Sequence, residues 1–361
     1  MNTFAVYFKP RGPLASWPLA SDTLFGAVCW GIRILGLMND AQLEQWLEDN
    51  RASPPFAFSH AFPAFYSPDC SPIRFYPRPL SFQLAFQDLE ALAAEDQHPS
   101  KTRKLAVVEA TIQIKHFKKL AYVSEAVLIE IIQGQLSALD ACKMLAAGQS
   151  NKTLLCKPEE AVLLPPRLYQ TEAVQHNQID RVRGATAEGL LFYSDETHFA
   201  PNCGLWALLR TSEEVFRQYI HPALRLLGDT GFGADTSTGK GHFEIQVSEA
   251  FSPPIPEKPQ AMMTVSHYLP AEGELNLSGS PFMYTLKILR PKRSHKFPRP
   301  LPEGMRSSPI YKQEMPVFVP GSVFPFTTHK DIYGQLKRLT PLDQEPVYQS
   351  GAALMIYLGG G

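Results

Sequence analysis

Four glycines fall within the eleven residues Gly231-Phe232-Gly233-Ala234-Asp235-Thr236-Ser237-Thr238-Gly239-Lys240-Gly241, between a helical tract at 213–227 and an alternating strand at 242–247. Glycine has no Cβ and tolerates φ > 0, so such a segment folds as a tight loop whose successive N–H groups can turn toward one anion. Two familiar phosphate loops are excluded by spacing. A P-loop needs four residues between Gly and Gly-Lys and a hydroxyl residue next, whereas five separate Gly233 from Gly239 and Gly241 follows Lys240. The dinucleotide fingerprint needs a third glycine where Thr236 stands, and a helix where a strand follows. From these residues alone a phosphate cradle and a plain flexible turn fit equally.

Two further blocks narrow the reading. Phe4-Ala5-Val6-Tyr7-Phe8 precedes Leu19-Ala20-Ser21-Asp22-Thr23-Leu24-Phe25-Gly26-Ala27, and His176-Asn177-Gln178-Ile179-Asp180-Arg181 precedes Gly184, Glu188-Gly189 and Leu191-Phe192-Tyr193. A Gly-x-Gly-x5-Gly-x-Gly loop ahead of a Phe-Glu-Ile strand resembles the signature loop of the RAMP proteins, the RNA-binding superfamily of CRISPR effector complexes. With the other two blocks in this order, the chain resembles the fourth-subunit, 5'-tag-binding group of type III-A Csm complexes. The resemblance covers residues 4 to 247, and the last third rests on a strand-helix pattern.

A chain of 361 residues with 44% hydrophobic content buries ample core and suits about two domains. A formal net charge of -1 excludes binding of nucleic acid through overall positive charge, so any RNA contact must be local. Five scattered cysteines without a Cys-x-x-Cys pair argue against a zinc knuckle or a disulfide framework, so no metal or cofactor is expected, in a reduced cytoplasmic setting. Without an 18-residue apolar run or a signal-peptide pattern, the expected protein is soluble and makes no membrane contact. Thirty-two prolines cluster in stretches such as 53–79 and 251–259, implying long structured loops.

Phe4, Val6 and Phe8 alternate with smaller or polar residues and read as a half-buried strand. Ser21 or Asp22 is positioned to cap the following helix, whose inner face carries Leu24, Phe25, Val28, Ile32 and Leu35, with Gly36 closing it. A short helix is expected at 40–50 and a helical tract at 81–94. Residues 107–114 and 127–132 stay open between strand and helix, and 182–192 suggests a hairpin. The strand at 4–8 should lie beside that at 242–247. After the proline-rich segment, strands are expected at 262–269, 283–289, 317–319 and 353–358, with a helix at 331–338. The pattern is α+β, with two ferredoxin-like (RRM-like) domains, inserted loops and a thumb-like β-hairpin: residues 1–250 with the glycine loop, a 251–260 linker and 261–361.

Three groups are candidates for RNA contact. The first is the glycine loop: Gly231, Gly233, Thr236, Ser237, Thr238, Gly239, Lys240 and Gly241. The second lies in the polar run 170–183, where the resemblance implies a protruding thumb. There Arg181 and Arg183 would meet phosphate, with Asn177 beside them and Ile179 wedged against a base. A solvated loop with Asp180 paired to Arg181 is the alternative. The third is the basic segment Lys287, Arg290, Lys292, Arg293, Lys296, Arg299, Arg306 and Lys312, with Glu303 as its acidic interruption and Phe297 and Tyr311 interleaved, centred on Lys292, Arg293 and Lys296. A second basic cluster at 101–119 reads as a surface face, and Trp17 as core.

Signals for catalysis are weak. Ten histidines stand singly, without a metal-ligand or nucleophile-elbow spacing. The resemblance implies a non-catalytic subunit that binds the 5' repeat-derived tag of crRNA, docked on a large polymerase-like subunit and on the first backbone RAMP subunit. The alternatives are a metal-independent endoribonuclease of repeat RNA, using His242, His60 or Asp235, the equivalent subunit of another type III complex, or a protein-bridging scaffold.

Overall fold

A computed structural model describes residues 1–15, 18–67, 71–95, 103–146, 153–177, 179–180, 185–186, 192–233, 235–248, 255–275, 282–291, 312–339 and 347–359. The core of the fold grows from β1 (Asn2–Pro10), α1 (Ser21–Ile34), α2 (Asp40–Asp49), β2 (Phe56–Phe58) and β3 (Phe62–Phe65). An insertion follows, with β4 (Ile73–Pro77), α3 (Phe86–Glu95), α4 (Arg103–Lys118), β5 (Tyr122–Ser124), α5 (Glu125–Ile132), α6 (Ala138–Ala146), β6 (Leu154–Leu155) and α7 (Pro158–Ala161). It ends in an arm made of β7 (Tyr169–His176), β8 (Ile179–Asp180), β9 (Ala185–Thr186) and β10 (Phe192–Phe199). The chain re-enters the core through β11 (Cys203–Thr211), α8 (Glu213–Val215), a π-helical turn (Phe216–Ile220), α9 (His221–Thr230) and β12 (Phe243–Ser248).

The central sheet runs β12-β1-β11-β3-β4-β5-β6, and its first three pairings are antiparallel. Stripped of the insertion, β1, α1, β2/β3, β11, α9 and β12 follow the ferredoxin-like β-α-β-β-α-β order. The expected neighbours meet, with Val6 opposite Val247 and Phe8 opposite Ile245.

Strand β1 departs from the half-buried expectation, because all of Phe4, Ala5, Val6, Tyr7 and Phe8 are buried. Phe4 stacks on Phe216 at 4.1 Å and Phe8 meets Phe243 edge-on at 5.7 Å. The insertion covers the other face: Tyr7 packs edge-on against Tyr66, and Arg74 Nη1 donates to the Tyr7 hydroxyl at 2.7 Å. A sheet covered on both sides loses its alternation. Trp206, fully buried on β11, donates from Nε1 to Phe75 O at 2.9 Å and lies edge-on to Tyr76 at 4.8 Å. Trp206→Ala should cost about 3–5 kcal/mol, read as a lower urea midpoint at unchanged slope.

One open reading is settled and two expectations are corrected. Residues 107–114 and 127–132 are helical, in α4 and α5, because their apolar residues pack at helical rather than alternating positions, as Val127, Leu128 and Ile132 do. The helix expected at 331–338 is extended chain. There β17 (Leu336–Leu339) pairs antiparallel with β18 (Val347–Ser350), so sheet hydrogen bonds override helix propensity. Leu35, placed on the inner face of α1, is exposed one residue past the end of that helix.

The C-terminal part forms small sheets. β13 (Pro259–Thr264) lies between β16 (Val323–Pro325) and β19 (Met355–Gly359), while β14 (Leu286–Leu289) pairs with β15 (Met315–Phe318). α5 packs against β19, so Ile132, Ile356 and Leu358 share the main core.

The cap expected at Ser21 or Asp22 is also replaced. The residue before α1 is Ala20, without a side-chain cap, and the first helical N–H, that of Ser21, donates to His60 Nδ1 at 3.2 Å. The Ser21 hydroxyl accepts the His267 N–H at 2.9 Å. Asp22 accepts from His267 Nδ1 at 2.9 Å and from Gln349 Nε2 at 2.7 Å. Partners from the far end of the chain win because all of them are buried together, where an unmet polar group is costly.

Burial, reinforced by the His267 charge, holds the His60 imidazole well below its ordinary value of 6.5. Burial alone would raise the Asp22 carboxyl, yet the hydrogen bond and charge of His267, with the His60 charge and Gln349, bring it below 3.8. For His60 the unfolded chain takes up a proton near 6.5 that the fold refuses, so stability falls as pH drops below that value. For Asp22 the contribution is present above 3.8 and is lost as pH falls through the folded value. Thermal midpoints should therefore decline from pH 7 to pH 5, as the unfolding free energy falls by up to about 1.4 kcal/mol per pH unit for the one histidine proton. His60→Asn, which keeps an acceptor and removes the titration, should flatten that slope.

Candidate nucleic-acid interface

The glycine loop leaves α9 at Gly231 (φ 69, ψ 164) and is pinched at its base. Phe232 N–H donates to Gly241 O at 3.1 Å and Gly241 N–H to Pro13 O at 2.9 Å. The buried Phe232 ring packs on Phe243 at 5.4 Å and Phe8 at 6.1 Å, anchoring the loop to the sheet. Gly241 has φ 69, and a Cβ there would lie 2.3 Å from Phe232 O, so a side chain is excluded by strain and by space.

Beyond the base, Asp235 (φ 58, ψ 30) turns the chain left-handed into a three-residue 3-10 turn, Thr236–Thr238. Gly239 (φ 87) turns it back. Thr238 N–H and hydroxyl both donate to Asp235 O, at 3.0 and 2.8 Å, and the Thr236 carbonyl accepts from Gly239 N–H at 3.1 Å and from His242 Nε2–H at 3.0 Å. Gly233, Asp235, Ser237, Thr238 and Gly239 face solvent. The amides of Thr236 and Ser237 have no acceptor among the described residues. These two amides and the exposed Ser237 are the donors such a turn has to offer an anion.

Lys240 is placed differently from the sequence reading. Its side chain turns inward, with Nζ 2.8 Å from Glu196 Oε1 on β10 and 3.4 Å from Asp235 Oδ2. The hydrogen bond to Glu196 is the main cause that lifts the ammonium above its ordinary value.

Beside the loop lies a cleft of about 640 Å³, lined among others by Lys9, Arg11, Tyr66, His198 and Asn202. Lys9 Nζ stands 5.6 Å over the Tyr66 ring, and a Cβ on Gly12 at the cleft wall would meet Gly239 O at 2.6 Å. Cleft and loop are therefore one continuous surface. These residues escaped the sequence reading because they come from separate segments; the one local signal was the Lys9-x-Arg11 pair ending β1.

Of the hairpin expected at 182–192 only 185–186 and 192 are described: Ala185–Thr186 pair with Ile179–Asp180, and Phe192 begins the strand of a ribbon in which β7 pairs with β10 from Tyr169–Phe199 to His176–Phe192. Asn177 is exposed at its far end, and Ile179 lies in β8 opposite Thr186. Arg181 and Arg183 lie outside the described residues, as do Lys292, Arg293 and Lys296. Of the residues once considered for catalysis, His60 is buried in the core, which takes it out of reach of RNA. Asp235 is committed to Lys240 and His242 to the Thr236 carbonyl. Among the described residues no cluster of histidine, cysteine or acidic side chains would hold a metal ion, and no helix is long and apolar enough to cross a membrane.

No family model matches the chain. Over 245 residues it is 28% identical to the CRISPR system Cms protein Csm4 of Thermococcus onnurineus (strain NA1), covering 68% of each chain. The fold is similar to a chain of a Csm3-Csm4 subcomplex from a type III-A CRISPR-Cas interference complex, with TM-score 0.62 at 14% identity over 100% of both chains. It is also similar to a chain of a Csm1-Csm4 cassette in complex with pppApA, with TM-score 0.57 at 20% identity over 99% of this chain and 98% of the other. A ferredoxin-like unit whose last strand is entered through a glycine loop, with an inserted arm, is thus the fold shared with chains of these two assemblies. In sequence, the likeness is to a Csm4 protein.

Proposed function

We propose that this protein is the RNA-binding subunit that holds the 5' repeat-derived tag of crRNA in a type III-A CRISPR effector. In that role it joins the large polymerase-like subunit to the backbone filament and cuts no RNA itself. The observation that carries this reading is the pinched glycine loop, which leaves the Thr236 and Ser237 amides without an acceptor among the described residues and adjoins a cleft bearing Lys9, Arg11 and Tyr66. Backbone donors read phosphates without reading bases, and cations with an aromatic face suit a single strand. The two solved assemblies similar in fold are named for Csm4 with Csm3 and Csm4 with Csm1, which supports docking to a backbone and a large subunit. In this reading residues 1–250 carry the RNA surface, 251–260 link and 261–361 complete the body. Arg181 and Arg183 on the arm with Ile179, and Lys292, Arg293 and Lys296, extend the contact. Work of this kind belongs in the cytoplasm.

Binding of 5'-tagged guide RNA to the assembled complex tests the loop. A Cβ added at Gly239 would meet open space, but the backbone there has φ 87. Gly239→Asn, which tolerates that conformation, should bind nearly as wild type, whereas Gly239→Val should weaken binding about tenfold or more. Equal binding by wild type and the valine variant contradicts the phosphate-loop assignment. Metal-independent cleavage of labelled repeat RNA, lost in His242→Ala, would overturn the non-catalytic assignment.

A further inference from the structure

Glu196 sits on β10 of a largely solvent-facing ribbon, directly opposite Glu172 in the strand register. Like charges facing each other across a strand pair are unfavourable, yet the Glu196 side chain is 9% exposed and the Lys240 side chain facing it 7%. Its carboxylate collects Lys240 Nζ at 2.8 Å and the Nε2 atoms of His176 and His198 at 3.7 Å each. The His176 ring is itself held by the Ser194 hydroxyl at 2.8 Å.

A second tie runs alongside through the main chain. Leu14 and Thr197 exchange both backbone hydrogen bonds at 2.9 Å, and the preceding carbonyl, Pro13 O, takes the Gly241 N–H. The residue after Glu196 and the residue after Lys240 are thus stapled to adjacent positions of the segment that follows β1. Loop and arm are fastened at two points, one polar and buried, one backbone.

We propose that Glu196 and Lys240 are positioning residues that lock the glycine loop to the arm, so that the loop's grip on RNA depends on an ion pair whose two members do not touch RNA. This rests on the phosphate-loop reading above and deepens it. Lys240, the residue a motif search would assign to phosphate, has its charge spent on Glu196 and Asp235. The loop therefore meets RNA through amides and hydroxyls, and the countercharge comes from the neighbouring cleft.

Salt dependence separates a positioning lysine from a phosphate ligand. A lysine that neutralises a phosphate of a single strand contributes about 0.7 to the slope of log affinity against log salt. We expect Lys240→Met and Glu196→Gln each to weaken binding of 5'-tagged guide RNA by the assembled complex about tenfold, with that slope unchanged, and the double variant to be no worse than either single one. Amide hydrogen exchange at 231–241 should rise in Glu196→Gln without RNA present. A reduced slope in Lys240→Met with Glu196→Gln neutral would overturn the proposal, as would unchanged loop exchange in Glu196→Gln. Exchange is read without RNA, so it tests the lock even if Gly239→Val binds RNA normally and the phosphate-loop reading itself fails.

Discussion

A Gly241→Val variant is expected to lose at least about 2 kcal/mol of affinity for 5'-tagged guide RNA, roughly thirtyfold in Kd, while the sheet it borders stays folded. Two costs combine. The backbone at Gly241 has φ 69, which a β-branched residue resists, and the new Cβ would stand 2.3 Å from Phe232 O. Nothing flexible lies in the way: the obstacle is main chain, held by the Phe232 N–H to Gly241 O bond and by the buried Phe232 ring. The base of the loop must open, carrying the amides of Thr236 and Ser237 out of place. Anisotropy titration of the assembled complex measures the loss, and far-UV circular dichroism checks the fold. A wild-type Kd for this variant would show that the loop's shape is irrelevant to RNA.

The second large effect lies in the core. Asp22→Ala should destabilise the protein by about 3–5 kcal/mol, because it leaves His267 Nδ1 and Gln349 Nε2 buried without their shared acceptor. Lys312 extends the same network, donating to Gln349 Oε1 at 2.9 Å and to Tyr348 O at 3.0 Å. The lost partners all come from the C-terminal part, so that part should detach from α1 first. Urea unfolding reads the total loss, and limited proteolysis should cut within 255–359 before it cuts the central sheet. Asp22→Asn, which keeps an acceptor for His267, should lose less. Equal stability of wild type and Asp22→Ala would remove the network from the account of how the two parts hold together.

Much of the central unit was legible because its signals are local. The run at 4–8, the amphipathic stripe of α1 and the helix-loop-strand at 213–247 each follow from spacing within a dozen residues, and their ferredoxin-like assembly follows the usual antiparallel pairing. Residues 107–114 and 331–338 were harder for opposite reasons. The first is a helix rich in β-branched residues, and the second is a polar stretch whose fate is set by pairing with 347–350. Neither outcome is encoded in the segment's own propensities. The candidate interface divides the same way. Its glycines announce themselves by φ and lack of bulk, whereas the cleft of Lys9, Arg11, Tyr66 and His198 exists only after three segments meet.

Lys240 and Asp22 show where reading along the chain ends. From residue types alone one is a phosphate ligand and the other a helix cap. In the fold the first is paired with Glu196, 44 positions earlier, and the second is hydrogen-bonded to His267, 245 positions later. The primary structure by itself determined the strand at 4–8, the helix after residue 20, the helix and strand flanking the glycine turn and the position of that turn, because backbone stereochemistry and hydrophobic period act over a few residues. Tertiary structure alone decided which charges remain available to a ligand, because a buried ionisable group takes whichever partner the packing brings within hydrogen-bonding distance.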